Sequence, residues 1–122
     1  MKTRVVVADD NPAYLELLLA VLGQVPEIEV VGTAADGREA VQVAVAYSPD
    51  VALLDVEMPG LDGLAAASEI RRLRPQTELF IHTGAGVDEF RERGEQLNLG
   101  VFDKLQLERT VDRIVAYGGT RT

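Results

Sequence analysis

Short β-branched apolar runs alternate with stretches of helical periodicity along the whole chain, and this alternation restricts the fold more than any other feature. Thr3–Ala8 reads as a fully buried strand. Asn11 and Pro12 follow as helix cap and first-turn residue, and Tyr14, Leu15, Leu18, Leu19 and Leu22 recur at helical spacing until Gly23. Residues 28–32 give a second strand. Asp36 then caps a helix, with Glu39 at the capping-box position and Ala40, Val41, Ala44 and Val45 inward. Residues 51–54 form a third strand ending at Asp55. After the Met58-Pro59-Gly60 loop, Asp62 caps a helix that stops before Pro75. A fourth strand, 79–81, ends near Thr83 and Gly84, where Gly84 and Gly86 mark a loop. Residues 88–96 are heavily charged and predict a short exposed helix. Val101 and Phe102 form a brief fifth strand before Lys104. A last helix over about 106–117 puts Val111, Ile114 and Val115 inward and ends at Gly118-Gly119.

Five such alternations predict an α/β fold: a doubly wound five-stranded parallel sheet, joined by right-handed crossovers, with helices on both faces. The length of 122 residues suits one domain. It is expected to occupy 1–118, with 119–122 as a flexible tail. Cysteine is absent, which excludes disulfides and thiolate metal sites and suits a reducing cytoplasm. No apolar run nears the roughly 20 residues of a membrane helix, and the first residues do not read as a signal peptide. Twenty acidic residues against twelve Lys and Arg give a net charge of −8, so the domain is not expected to bind nucleic acid directly.

In a doubly wound fold the carboxyl ends of the strands line the ligand crevice. Asp9 and Asp10 follow the first strand, Asp55 the third, Thr83 and Gly84 the fourth, and Lys104 the fifth. Three adjacent carboxylates repel one another, and a hard divalent cation with oxygen ligands relieves that repulsion. Mg²⁺ fits, held directly by Asp10 and Asp55 and through a water by Asp9. With Lys104 it would leave positive potential for a phosphoryl group. An aspartate can act as a nucleophile toward phosphorus, and phosphoryl transfer depends mostly on positioning and charge neutralisation. Taken singly, each residue has an ordinary alternative: a cap for Asp9 or Asp10, a turn for Asp55, a strand position for Thr83, a solvated amine for Lys104. Their joint occurrence at strand ends favours a site.

The chain resembles the receiver domain of bacterial two-component response regulators over nearly its whole length. The resemblance rests on residues 5–11 (VVVADDN), 35–40 (ADGREA) and 49–63 (PDVALLDVEMPGLDG), then Thr83-Gly84 and Lys104. It implies that Asp55 accepts phosphate from a histidine kinase or phosphotransfer protein, and that the backbone carbonyl of Glu57 joins Asp10 and Asp55 on Mg²⁺. It also implies that Thr83, the Gly84 amide and Lys104 bind the phosphoryl oxygens. The result is a cytoplasmic switch rather than a metabolic enzyme, acting on an output domain or effector, with dimerisation through the last helices compatible with the pattern.

The sequence departs from the family at three places. Val101 stands where an aromatic is usual, and Phe102, one residue on, should face the opposite side as core. Leu105 replaces the usual proline after the lysine, and a trans bond is expected there. The stretch from Thr83 to Lys104 is about one residue short, which could shorten or displace the fourth helix. Asp103 should point away from Lys104, Glu57 is expected to influence autodephosphorylation, and His82 is expected to face away from the site. A phosphate-independent receiver-like interaction module is the main alternative. A haloacid-dehalogenase-type phosphatase would want an aspartate where Glu57 stands, and a flavodoxin-like cofactor binder would need a Ser/Thr-rich phosphate loop after the first strand.

Overall fold

The computed structural model describes residues 2–84 and 86–120. The elements alternate in chain order: β1 (Thr3–Ala8), α1 (Pro12–Leu22), β2 (Ile28–Ala34), α2 (Gly37–Tyr47), β3 (Val51–Asp55), α3 (Gly63–Leu73), β4 (Glu78–Thr83), α4 (Val87–Gln96), β5 (Gly100–Asp103) and α5 (Leu107–Thr120). A single 3₁₀ turn, Lys104–Gln106, joins β5 to α5. All strand pairs are parallel, in the order β2-β1-β3-β4-β5. The predicted five-stranded parallel sheet is therefore the observed one.

The apolar residues divide by strand parity into two cores. Val5, Val7, Val51, Leu53 and Phe80 pack with Leu18 and Leu22 of α1 and Ile114 of α5. Ala8, Ala52, Leu54, Leu79 and Ile81 pack on the other face with Ala40 and Ala44 of α2, Leu64 and Ile70 of α3, Phe90 of α4, and Leu97 just after α4. This is the two-sided burial that continuous apolar strands require.

Caps set the helix starts. Asn11 Oδ1 accepts from the Ala13 and Tyr14 amides at 3.0 and 3.1 Å. Asp36 Oδ1 accepts from Glu39 N at 2.8 Å, and Glu39 Oε1 reaches back to Ala35 N at 3.2 Å. Asp62 Oδ1 accepts from Ala65 N at 2.8 Å. Each such cap satisfies an amide that the helix itself leaves without a partner.

Several boundaries differ from the sequence reading: β4 spans Glu78–Thr83, β5 spans Gly100–Asp103, and the last helix starts at Leu107 after the 3₁₀ turn. β2 continues to Ala34, two residues past Gly32. The last helix does not end at Gly118-Gly119 but runs to Thr120. Gly118 faces Thr3, and a Cβ there would overlap the Thr3 hydroxyl, so the glycine serves close packing rather than a stop. The expected tail at 119–122 thus begins within α5, and residues 121–122 lie outside the described residues. No helix among the described residues is long and apolar enough to cross a membrane.

α4 is anchored sparingly, as its charge pattern predicts. Gly94 is its one buried residue, and a Cβ there would run into the Val101 side chain of β5. From α3, the Arg71 guanidinium donates to the carbonyls of Leu97 and Asn98, which fixes the turn after α4.

Candidate functional site

Parallel pairing and strand parity bring the chemistry together. Asp55 pairs in register with His82, and His82 with Phe102. Residues in register share a face, so Asp55 and His82 lie on the side of the Phe80 and Leu53 core, towards α1 and α5. Asp9 follows Val5 and Val7 on that side, and Lys104 extends the Phe102 position. Gly63 lets α3 start close against β3, because a Cβ there would overlap the Asp55 carbonyl oxygen.

Asp9 is buried: Oδ1 is hydrogen-bonded, while Oδ2 has nitrogens at ion-pair distance without hydrogen-bond geometry. Oδ1 accepts from the Asn11 amide at 2.9 Å. Oδ2 lies 2.7 Å from Lys104 Nζ and 3.2 Å from His82 Nε2. Lys104 Nζ also lies 3.2 Å from Asp55 Oδ2 and 4.6 Å above the Tyr14 ring. Asp55 Oδ1 accepts from the Glu57 amide at 3.3 Å. One ammonium thus bridges two buried carboxylates.

The two carboxyls titrate in opposite directions. Burial pushes Asp9 up, but His82, Lys104 and the Asn11 amide outweigh it and hold the carboxyl at about 2. Burial, followed by the charge of Asp9, raises Asp55 to about 6 against the pull of Lys104 and the Glu57 amide. Lys104 is shared, and it does not compensate both anions. A further positive charge beside Asp55 therefore fits this donor set.

A cleft of about 230 Å³ opens over the pair, lined by Asp10, Asn11, Asp55, Glu57, Thr83, Gly84 and Lys104. Every sequence-predicted site residue except Asp9 lines it. Asp9 lies beneath, in contact with Lys104. Among the described residues, the groups whose ligand atoms fall within 4.8 Å of one another are Asp9, Asp55 and His82, whereas Asp10 is exposed on the rim. The cluster can hold a cation, but its tight part is not the expected trio of aspartates.

His82 corrects the sequence reading. It faces away from Thr83, as alternation requires, yet it meets Asp9 on the other side of the strand. Its parity with Phe80 and its register with Asp55 were the available signal. The neighbouring departures resolve simply. Phe102 stacks edge-on against Phe80, with centroids 5.2 Å apart, inside the α1/α5 core. Val101 faces Gly94 of α4. Asp103 Oδ1 accepts from the Leu105 amide at 2.9 Å, which turns it away from Lys104. No peptide bond among the described residues is cis.

Comparison with known proteins gives the same frame. The response regulator receiver domain family matches residues 5–116. A protein-glutamate methylesterase/protein-glutamine glutaminase from Alkalilimnicola ehrlichii is 36% identical over an alignment covering 99% of this chain and 34% of that protein. This chain therefore spans about a third of that relative. The signal receiver domain of the response regulator NarL from Mycobacterium tuberculosis superposes with a TM-score of 0.83 at 31% identity, over 93% of this chain and 96% of that one. The response regulator domain of Thermotoga maritima CheB gives 0.80 at 25% identity, over 98% of both chains. The family match runs over nearly the whole sheet and its helices, and the chain belongs to the response regulator receiver domain family.

Proposed function

We propose that Asp55 is the phosphoacceptor of a signalling switch, and that Asp10, Thr83, Gly84 and Lys104 shape the cleft around the incoming phosphoryl group. The observation that carries this reading is the under-compensated, buried Asp55 carboxyl at the floor of a cleft lined by an amine, a hydroxyl and a second carboxylate. In the transfer, an Asp55 carboxylate oxygen forms a bond to phosphorus as the bond from phosphorus to the donor nitrogen of a histidine breaks. The donor would be a histidine kinase or phosphotransfer protein.

Mg²⁺ fits the oxygen donors on the rim. Asp10, Asp55 and the Glu57 carbonyl would hold it, and it would supply charge neutralisation on the phosphoryl oxygens. The protein's own contribution is positioning. Lys104, placed between Asp9 and Asp55, lies within a short swing of the phosphoryl oxygens. Thr83 and Gly84 line the same cleft.

The phosphoryl group adds about 1.5 to 2 negative charges at pH 7. It redirects Lys104 and draws on Thr83, and both changes reach the segment leading to α4 and β5. Because Phe102 is committed to the core and Val101 is small, the readout in this chain runs through the contact of Val101 with Gly94 rather than through an aromatic rotamer. An output domain or effector in the cytoplasm would read that surface, and catalysis on a metabolite is not part of this domain's role. Glu57, at the mouth of the cleft, is expected to set how long the phosphate persists.

The test is incubation with Mg²⁺ and acetyl phosphate. We expect one acid-labile acyl phosphate on Asp55, absent from Asp55→Ala, and chemical-shift changes around the cleft with a beryllofluoride mimic. Neither labelling nor mimic binding would replace this reading with a phosphate-independent interaction module.

A further inference from the structure

Tyr14 is held at the cleft end of α1. Asn11 Oδ1 accepts from its amide at 3.1 Å, which fixes the residue in the first helical turn. Its ring stands edge-on to the buried His82 ring, with centroids 5.6 Å apart at 84°. Its hydroxyl donates to the Lys104 carbonyl at 3.4 Å, a long bond that keeps the ring against the turn after β5. Lys104 Nζ lies over the ring face, 4.6 Å from the centroid. Tyr14 thus meets Lys104 at both its backbone and its amine.

The residue after the lysine does not anchor the turn by burial, because Leu105 is 86% exposed. The amine itself has three neighbours: Asp9 Oδ2 at 2.7 Å, Asp55 Oδ2 at 3.2 Å and the Tyr14 ring. Phosphorylation changes the first two. Asp55 commits an oxygen to the acyl phosphate, and movement toward the phosphoryl oxygens draws the amine from Asp9. The ring contact tolerates such movement, since cation–π attraction acts out to about 6 Å from the centroid. A lysine side chain has a long flexible stem, and a seat present in both states lowers the entropy cost of aiming it.

We propose that Tyr14 is a positioning residue for phosphoryl transfer: its ring face keeps the Lys104 ammonium at the cleft both before and after the phosphoryl group arrives. Tyr14 is not among the residues that line the cleft, and it acts through Lys104. The role rests on Asp55 being the acceptor.

The experiment compares the wild type with Tyr14→Phe, which keeps the ring, and Tyr14→Leu, which keeps an apolar side chain but removes the ring. Cooperative thermal unfolding checks that each variant is folded. Initial rates of acetyl phosphate labelling and affinity for beryllofluoride are measured at saturating Mg²⁺. Loss of a partly desolvated cation–π contact predicts that both fall about fivefold in Tyr14→Leu. Tyr14→Phe should stay within about twofold of the wild type in both. A folded Tyr14→Leu that labels as fast as the wild type would overturn the proposal, as would a Tyr14→Phe as slow as Tyr14→Leu.

A second measurement needs no variant and no metal. Lys2 and Lys104 are the only lysines in the chain, so lysine-selective ¹³C labelling resolves the two side chains. A seat over an aromatic face shifts the Lys104 ε-methylene protons upfield of those of the exposed Lys2. The shift should be present in the metal-free protein and persist with Mg²⁺ and beryllofluoride. Lys104 protons that match those of Lys2 in either state overturn the proposal. A wild type that is not labelled at Asp55 removes the acceptor itself, whereas a labelled wild type matched by Tyr14→Leu removes only the role of Tyr14.

Discussion

Replacing Asp55 with Asn should stabilise the protein in the absence of divalent cations, and the gain should depend on pH. Asp55 is 4% exposed, so solvent screens it little. Its carboxyl is raised from 3.8 to about 6, by burial first and by Asp9 second. Each pKa unit corresponds to about 1.4 kcal/mol, so ionised Asp55 costs up to ~3 kcal/mol at neutral pH. An amide of the same shape avoids most of that cost, and we expect a gain of about 2 kcal/mol at pH 7.5, or roughly 8 °C in Tm. The sign follows from the raised value. The Asp55 contribution is fully present below 3.8, falls as pH rises through about 6, and is absent above it. The ionisation cost at pH 4 is about 2.4 kcal/mol smaller than at pH 7.5, so the advantage of Asn should vanish by pH 4. Asp9, held at about 2, stays ionised throughout this window and does not confuse the comparison. Urea unfolding with EDTA at pH 4 and pH 7.5 measures both gaps. Added Mg²⁺ should then stabilise the wild type selectively and close the difference. A variant no more stable at pH 7.5, or a gap equal at both pH values, would refute the electrostatic account of Asp55.

Other changes have equally direct readouts. Lys104→Met removes the shared partner of Asp9 and Asp55 and should cost about 2–3 kcal/mol at pH 7.5 by denaturant unfolding; an unchanged midpoint would contradict the bridging geometry. Gly63→Ala forces α3 away from the Asp55 carbonyl, so it should lose about 2 kcal/mol and slow acetyl phosphate labelling. If labelling and stability are untouched, the close approach is not needed. Arg71→Ala frees the turn after α4; amide exchange should quicken at Leu97, Asn98 and Leu99 while β1 and β3 keep their protection.

The fold was legible because each strand is a compact apolar run and each helix begins at a capping side chain. Asn11, Asp36 and Asp62 act locally, so sequence spacing alone located them. The cleft was legible for a different reason: strand ends of a parallel sheet share one edge, whatever the distance in sequence. What escaped were contacts across the sheet. His82 was judged by its neighbour Thr83, although its place was set by register with Asp55 on an adjacent strand. Gly118 read as a stop because glycine commonly ends helices, and only the approach of Thr3 shows its packing role. Likewise, Asp9 and Asp10 are adjacent in sequence but differ wholly in burial, since β1 ends between the core and the rim.

The position of β5 at the sheet edge has a consequence for how the chain is made. Synthesis delivers β1 and β3, and with them Asp9 and Asp55, well before the segment carrying Lys104 leaves the ribosome. A nascent or truncated chain that has closed its central strands holds two carboxylates with no amine between them. Until β5 docks, proton or divalent-ion uptake is the available way to quiet that pair, so docking of β5 turns a wholly uncompensated pair into a partly compensated one.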